Sequence, residues 1–318
     1  MKKDRRVDRR HFLKKAPAAL AGLAAAAGAG GALGDLARAA WAAGPKKTCE
    51  AGASKAAVGK SAEKALASAG APKIRHYRPL GKTGLELSDI SMGAAVDDAV
   101  IRYAVDRGIN FFDTADSYYS GQGEEALGRA LKDIRDKCII STKHMVEPSW
   151  KKETLVEKVN ASLKRLDMDY VDLLFMQGVG DPALFKNEEI LSAYDELKKQ
   201  GKYRFLCFST HDTDTVVPAA IETGLFSAAM LMYIPNMFPK MEETHTKLYE
   251  AGLGIIAMKA LKGGEGEKVL EKAKPGMTFA QAAIQWALLD KKISTVLISM
   301  RTFEHIDEYL KVSGSGLS

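Results

Sequence analysis

The chain has 318 residues, of which 46% are apolar and 27% charged, with a formal net charge of +6. That apolar share fills one large core without requiring a second domain, and the charged share is ordinary for a water-soluble chain. The positive excess is not a nucleic-acid signature. Lys2, Lys3, Arg5, Arg6, Arg9, Arg10, Lys14 and Lys15 concentrate it at the N-terminus and leave the rest near neutral. Cys49, Cys138 and Cys207 match no zinc or iron–sulfur spacing, so no metal site is expected. Cys138 and Cys207 lie in apolar runs and are expected as buried, inert thiols.

Residues 8–14 read Asp-Arg-Arg-His-Phe-Leu-Lys. The run resembles the twin-arginine export consensus at Arg9, Arg10, Phe12, Leu13 and Lys14, with Asp8 where that consensus has Ser or Thr. The Ala- and Gly-rich stretch from Ala16 to Ala32 contains Pro17 and is only weakly apolar. A membrane-spanning helix wants about 20 strongly apolar residues. A basic head followed by a weak apolar stretch reads instead as a cleaved signal over residues 1–42, with Ala40-Trp41-Ala42 or Ala37-Arg38-Ala39 as the cleavage motif. The expectation is delivery to the periplasm, or export otherwise, by the twin-arginine machinery, with no stable membrane span after signal removal. Residues 43–72 carry almost no large apolar side chains and read as a flexible linker.

From residue 73 to 318 short apolar runs alternate with amphipathic stretches. The Gly-rich segment Tyr77–Leu87 predicts a hairpin closing a barrel floor. Strands are predicted at Asp89–Met92, Ile109–Thr114, Cys138–Lys143, Val171–Gln177, Arg204–Ser209, Ala228–Tyr233, Gly254–Lys259 and Thr295–Ser299. Helices are predicted at Asp98–Arg107, Gly123–Lys132, Lys151–Leu166, Glu188–Gln200, Thr215–Thr223, Lys240–Ala251, Phe279–Leu289 and Thr302–Val312. Gly108, Gly201, Gly224 and Gly252 sit where helix C-caps are expected, and Asp214 and Thr278 where N-caps are. Repeated β-then-α units over about 240 residues have the rhythm of a single-domain α/β protein, a closed (β/α)₈ TIM barrel. No Gly-rich dinucleotide fingerprint follows the first strand, which argues against an open doubly wound sheet.

In such a barrel the C-terminal strand ends form the active face. Two of them bring Asp113, Tyr118 and Lys143 together. The combination suits carbonyl reduction, because hydride arriving at carbon leaves negative charge on oxygen. A tyrosine can protonate that oxygen, a lysine can lower the tyrosine pKa, and an aspartate can hold the lysine. The segments RPLGKTGLELSDISMG, GINFFDTADSY, GEEALGRAL and STK resemble the aldo-keto reductase family, and the resemblance spans residues 77–312. It implies Asp113, Tyr118 and Lys143 as catalytic residues. Gln177 stands where the family has a histidine; its amide can donate a hydrogen bond but carries no charge. His144 and His211 lie near strand ends as polar residues of the mouth.

The resemblance also implies NADPH as cofactor and a small-molecule carbonyl as substrate. Ser209 and Thr210 match the nicotinamide-binding segment, while Lys259, Leu261 and Gly264 match the loop along the pyrophosphate. Arg301 and Thr302 open the last helix, where a 2′-phosphate is expected, and Glu308 takes an adenine-contacting position beside Tyr309. Asn236 anchors the sixth-strand alignment, which puts Met232 in place of the family glutamine and Pro235 in place of the tyrosine that stacks on nicotinamide. The chain stops soon after its last helix, which implies an open, weakly selective pocket. Two functions stay open. The intact trio and Arg301 favour an NADPH-dependent reductase; Gln177 and Pro235 favour a catalytically weak or inactive barrel that binds a nucleotide or small ligand as a sensor or partner module.

Overall fold

The computed structural model describes residues 70–234, 237, 240–262 and 275–315. The expected signal, Cys49, most of the linker, Pro235, Asn236 and Gly264 lie outside the described residues.

A two-stranded antiparallel hairpin, β1 (Tyr77–Pro79) and β2 (Glu86–Ser88), precedes the barrel. The alternation then runs β3 (Ile90–Gly93), α1 (Asp98–Asp106), β4 (Phe111–Asp113), α2 (Gln122–Leu131), β5 (Ile139–His144) and α3 (Lys152–Leu166). It continues through β6 (Val171–Met176), α4 (Glu188–Lys199), β7 (Tyr203–Thr210), α5 (Thr213–Thr223) and β8 (Ala228–Met232). The last elements are α6 (Lys240–Ala251), β9 (Gly254–Met258), α7 (Phe279–Leu288), β10 (Thr295–Ser299) and α8 (Phe303–Leu310). Strands β3 to β10 are all parallel, and β10 pairs with β3 to close the barrel. The single-domain (β/α)₈ expectation therefore holds, with element ends within about two residues of the sequence reading, the usual scatter of terminal turns.

Strand alternation sorts the core into two layers. Phe111, Leu173, Phe175, Cys207, Ala228, Met230, Ile256 and Leu297 fill the barrel interior together with Leu80, Leu85 and Leu87 of the hairpin. Their neighbours Phe112, Leu174, Phe208, Ala229, Ile255 and Val296 point outward against the helices. The hairpin closes the floor as expected. Gly81 lies so close to β9 that a Cβ would sit 2.4 Å from the Gly254 amide nitrogen. Arg78 fixes the hairpin by donating to the carbonyl of Leu288 at the end of α7 and to those of Asp290 and Ile293 just beyond it. Asp89 receives Ser313 Oγ and the Gly314 amide, which ties the end of the helical ring back to the barrel floor.

Cys138 and Cys207 are buried as expected. Burial pushes the Cys138 thiol up to about 11, and the Cys207 thiol up as well, so both stay protonated and unreactive. Thr278 caps α7 with a full capping box. One cap is corrected: Asp212, not Asp214, caps α5, its carboxylate accepting from the Asp214 and Thr215 amides. The helix begins at Thr213, two residues earlier than the apolar pattern indicates, because its residues before Val216 are polar and carry no apolar signal.

Candidate active site

Three strand ends build one polar cluster at the mouth. Phe111 faces the barrel interior, so Asp113, two residues on, does too; the same alternation carries Ser141 and Lys143 inward on the adjacent β5. Lys143 Nζ donates to Asp113 Oδ2 at 2.6 Å and to the Thr114 carbonyl at 2.5 Å. Ser141 Oγ donates to the other Asp113 oxygen at 2.6 Å. Lys143 and Asp113 are both almost fully buried, and an ion pair survives there only when its remaining donors and acceptors are filled. Here they are: the lysine is aimed, and its nitrogen lies 4.8 Å from the centroid of the Tyr118 ring.

Tyr118 sits at the start of a tight left-handed turn, Tyr118–Gly121, between β4 and α2. One electrostatic expectation is corrected. Burial raises the Tyr118 pKa above its ordinary value and outweighs Lys143, which pulls it down by charge and hydrogen bond. The phenol therefore stays protonated through neutral pH, the state required of a proton donor.

Gln177 follows β6 with interior parity after Leu173 and Phe175. Its backbone amide donates to the His144 carbonyl at 2.8 Å. Its Oε1 is sealed from solvent without a hydrogen-bond partner. None of its side-chain atoms is committed to a described neighbour, so its amide hydrogens remain for a ligand.

The two histidines part ways. His144 is turned away from the mouth, fully buried, with Nε2 3.0 Å from Ser162 Oγ on α3. Burial lowers its pKa to about 4, so the ring is neutral in the folded protein. An unfolded histidine titrates near 6.5. Between those values the unfolded chain takes up a proton that the folded one refuses. Stability is therefore full above pH 6.5 and falls as pH drops toward 4, by on the order of 3 kcal/mol. His144→Asn should flatten this part of the Tm profile between pH 7 and 4. A variant profile that tracks the wild type throughout would show that His144 contributes nothing to it. His211 does lie at the mouth, where its Nε2 meets Lys259 Nζ at 2.7 Å. Burial lowers the pKa of both groups, and each is lowered further by nearby lysine charge.

The expected cofactor residues are only partly gathered at the mouth. Ser209 faces inward; its Oγ accepts from the Gly178 amide at 2.9 Å, and among the described residues no acceptor takes its hydroxyl hydrogen. Thr210 faces outward and is fully buried; it donates to the Val179 carbonyl of the β6–α4 loop and accepts from the Asp212 amide, so it ties that loop to the start of α5 instead of facing the mouth. Lys259 adopts a left-handed backbone at φ 60°, and Leu261 packs partly buried on the core. Arg301 is exposed ahead of α8, and Thr302 caps that helix by accepting from the His305 amide. Glu308 accepts from Thr278 Oγ1 at 2.6 Å. Tyr233 is not at the mouth: it stacks on His245 at 4.9 Å and reaches Asp290. A separate cleft of about 630 Å³, between Lys132, Asp167 and Lys202, opens at the opposite end of the barrel and contains none of these groups.

Sequence reasoning missed Ser141, the Thr114 carbonyl and the buried Glu124. The first was within reach, since Ser141 shares the face of Lys143 by strand alternation. The carbonyl carries no side-chain signal.

The Aldo/keto reductase family model matches residues 88–275. L-galactose dehydrogenase of Arabidopsis thaliana is 28% identical over 284 residues, covering 73% of this chain and 86% of its own. An Arabidopsis thaliana protein named as a probable voltage-gated potassium channel subunit beta is 37% identical over 297 residues, covering 74% of this chain and 90% of its own. The structure is similar to that of an aldo-keto reductase from Bacillus halodurans in its holo form, with a TM-score of 0.64 at 23% identity, covering 76% of this chain and 91% of that one. That last likeness is one of fold.

Proposed function

Because this chain belongs to the aldo/keto reductase family, we propose that it is an NADPH-dependent reductase of aldehydes or ketones. The observation that carries the reading is the Asp113–Lys143–Tyr118 cluster at the mouth. NADPH, when bound, supplies the hydride. Tyr118 delivers its phenolic proton to the carbonyl oxygen as negative charge builds there. Lys143, held by Asp113 and the Thr114 carbonyl, steadies the phenolate that remains. Gln177 offers an amide hydrogen to the same oxygen, as a neutral donor where the family has a histidine. The test is NADPH oxidation with a panel of simple aldehydes, alongside a fluorescence titration of NADPH binding. Slow but measurable turnover is expected, and failure to bind NADPH would end the reading.

The donor chemistry of the mouth fits a dinucleotide. Ser209 would meet the carboxamide, Lys259 and Leu261 would lie along the diphosphate, and Arg301 with the Thr302 end of α8 would take a 2′-phosphate. Glu308 would face the adenine. Arg301→Ala should weaken NADPH binding by about 1.5–3 kcal/mol, as expected for a hydrogen bond to a charged group, and leave NADH binding unchanged. Equal NADPH affinity in variant and wild type would misplace the phosphate.

A second reading is favoured by Gln177: a barrel that binds the nucleotide as a sensor or partner module with little turnover. The relative named as a potassium channel subunit is consistent with it. Bound NADPH without turnover in wild type would promote this reading.

The N-terminal run supports export to the periplasm by the twin-arginine machinery. That route moves folded proteins, so a tightly held cofactor could travel inside. Arg9→Lys with Arg10→Lys should hold the precursor in the cytoplasm; unchanged periplasmic accumulation would dismiss the assignment.

A further inference from the structure

We propose that Glu124 is a positioning residue for Tyr118, tying the turn that carries the phenol to the strand that carries Lys143. The inference rests on the reading of Tyr118 as the proton donor.

The turn is strained. Tyr119 and Ser120 both sit in the left-handed region, at φ 51° and 56°, followed by Gly121 at φ 90°. Consecutive non-glycine residues there persist only where the surroundings over-determine them. The surroundings are visible. The Gln122 amide reaches the Tyr118 and Tyr119 carbonyls. Gly123 abuts the phenol-bearing residue, with its Cβ position 3.6 Å from Tyr118 Cβ. The side chain of Arg165 lies flat on Gly121, where a Cβ would meet its Cδ at 2.8 Å. The first turn of α2 thus grips Tyr118 directly.

Glu124 is the next residue of that turn, and it is fully buried. A carboxylate without solvent needs partners, and each of its oxygens has one. Thr142 Oγ1 donates to Oε1 at 2.5 Å, and Arg165 Nε donates to Oε2 at 2.6 Å. Arg165 continues to Ser162 Oγ, which also meets His144. Thr142 and His144 flank Lys143 on β5, facing outward while the lysine faces the mouth. A rigid path therefore runs from Tyr118 through the start of α2 and Glu124 to the backbone on either side of Lys143. No ligand contact is needed to explain Glu124; its two bonds set the spacing between phenol and ammonium.

The test uses the full chain with 3-fluorotyrosine at position 118. In wild type one narrow fluorine resonance is expected. Glu124→Gln should shift or split it and lower kcat for aldehyde reduction about 10- to 100-fold, with KM within about threefold and NADPH affinity within about twofold. Thr142→Val leaves the Glu124–Arg165 pair in place and removes only the tie to the lysine strand, so it carries the test if Glu124→Gln does not fold. A lowered Tm with an unmoved resonance and unchanged kcat would overturn the proposal and leave Glu124 a stability element. If wild type reduces no aldehyde, the reductase reading fails, and the fluorine spectrum still decides whether Glu124 positions Tyr118.

Discussion

Tyr118→Phe is expected to cut the rate of aldehyde reduction by about 10²–10⁴-fold, the range lost with a general acid, while leaving NADPH affinity unchanged. The substitution removes one oxygen and keeps the ring beside which Lys143 lies. The Lys143–Asp113 pair and its bonds to Thr114 and Ser141 stay intact, so no buried charge is stranded. What disappears is the proton. Because burial raises the Tyr118 pKa, the phenol is protonated across the neutral range. Reduction by wild type should accordingly show a flat pH–rate profile through neutrality and decline only in alkali, above the ordinary phenol range. The reverse oxidation, which needs phenolate, should rise with pH. Turnover that survives Tyr118→Phe would sink this mechanism, since no other described residue of the mouth is assigned the proton.

Gln177→His should raise the rate at least tenfold. In wild type the carboxamide meets a developing oxyanion with a neutral donor, and its Oε1 is buried without a partner. Removing one oxyanion donor in other enzymes costs on the order of 10²–10³ in rate, so replacing a weak donor by a better one recovers part of that span. An imidazole also brings a proton that titrates near neutrality. The readout is kcat for the same aldehyde panel, with Tyr118→Phe placed in the Gln177→His background. The gain should vanish there. A gain that persists without the phenol would mean that the new histidine has itself become the acid. No turnover in either wild type or Gln177→His, with NADPH bound, would move the sensor reading to first place.

Much of the architecture was legible in the sequence because a parallel barrel has a two-level code. Each strand is a short apolar run buried on both faces, and each helix carries one apolar stripe. The eight repeats of that pattern, with Gly108, Gly201, Gly224 and Gly252 just past their helices, leave little freedom in topology. Asp113 and Lys143 were legible for the same reason: they are polar residues at the ends of apolar strands, and such residues can only face the mouth or be satisfied in place. Asp214 was misread as a cap because the residues of α5 before Val216 bury nothing that a periodicity could register.

What the residues alone determined is the order of the elements, the inward parity of Asp113, Lys143, Gln177 and Ser209, and the burial of Cys138 and Cys207. All of these follow from local alternation of apolar and polar side chains. Three things only the tertiary structure decided: that Tyr233 stacks on His245, that burial outweighs Lys143 at the Tyr118 phenol, and that Glu124 joins Thr142 to Arg165. Each depends on groups far apart in the chain meeting where water is excluded. A sequence pattern records which face a residue prefers, but the strength of a charge or a hydrogen bond depends on how much solvent its partners displace, and that is set only when the barrel closes.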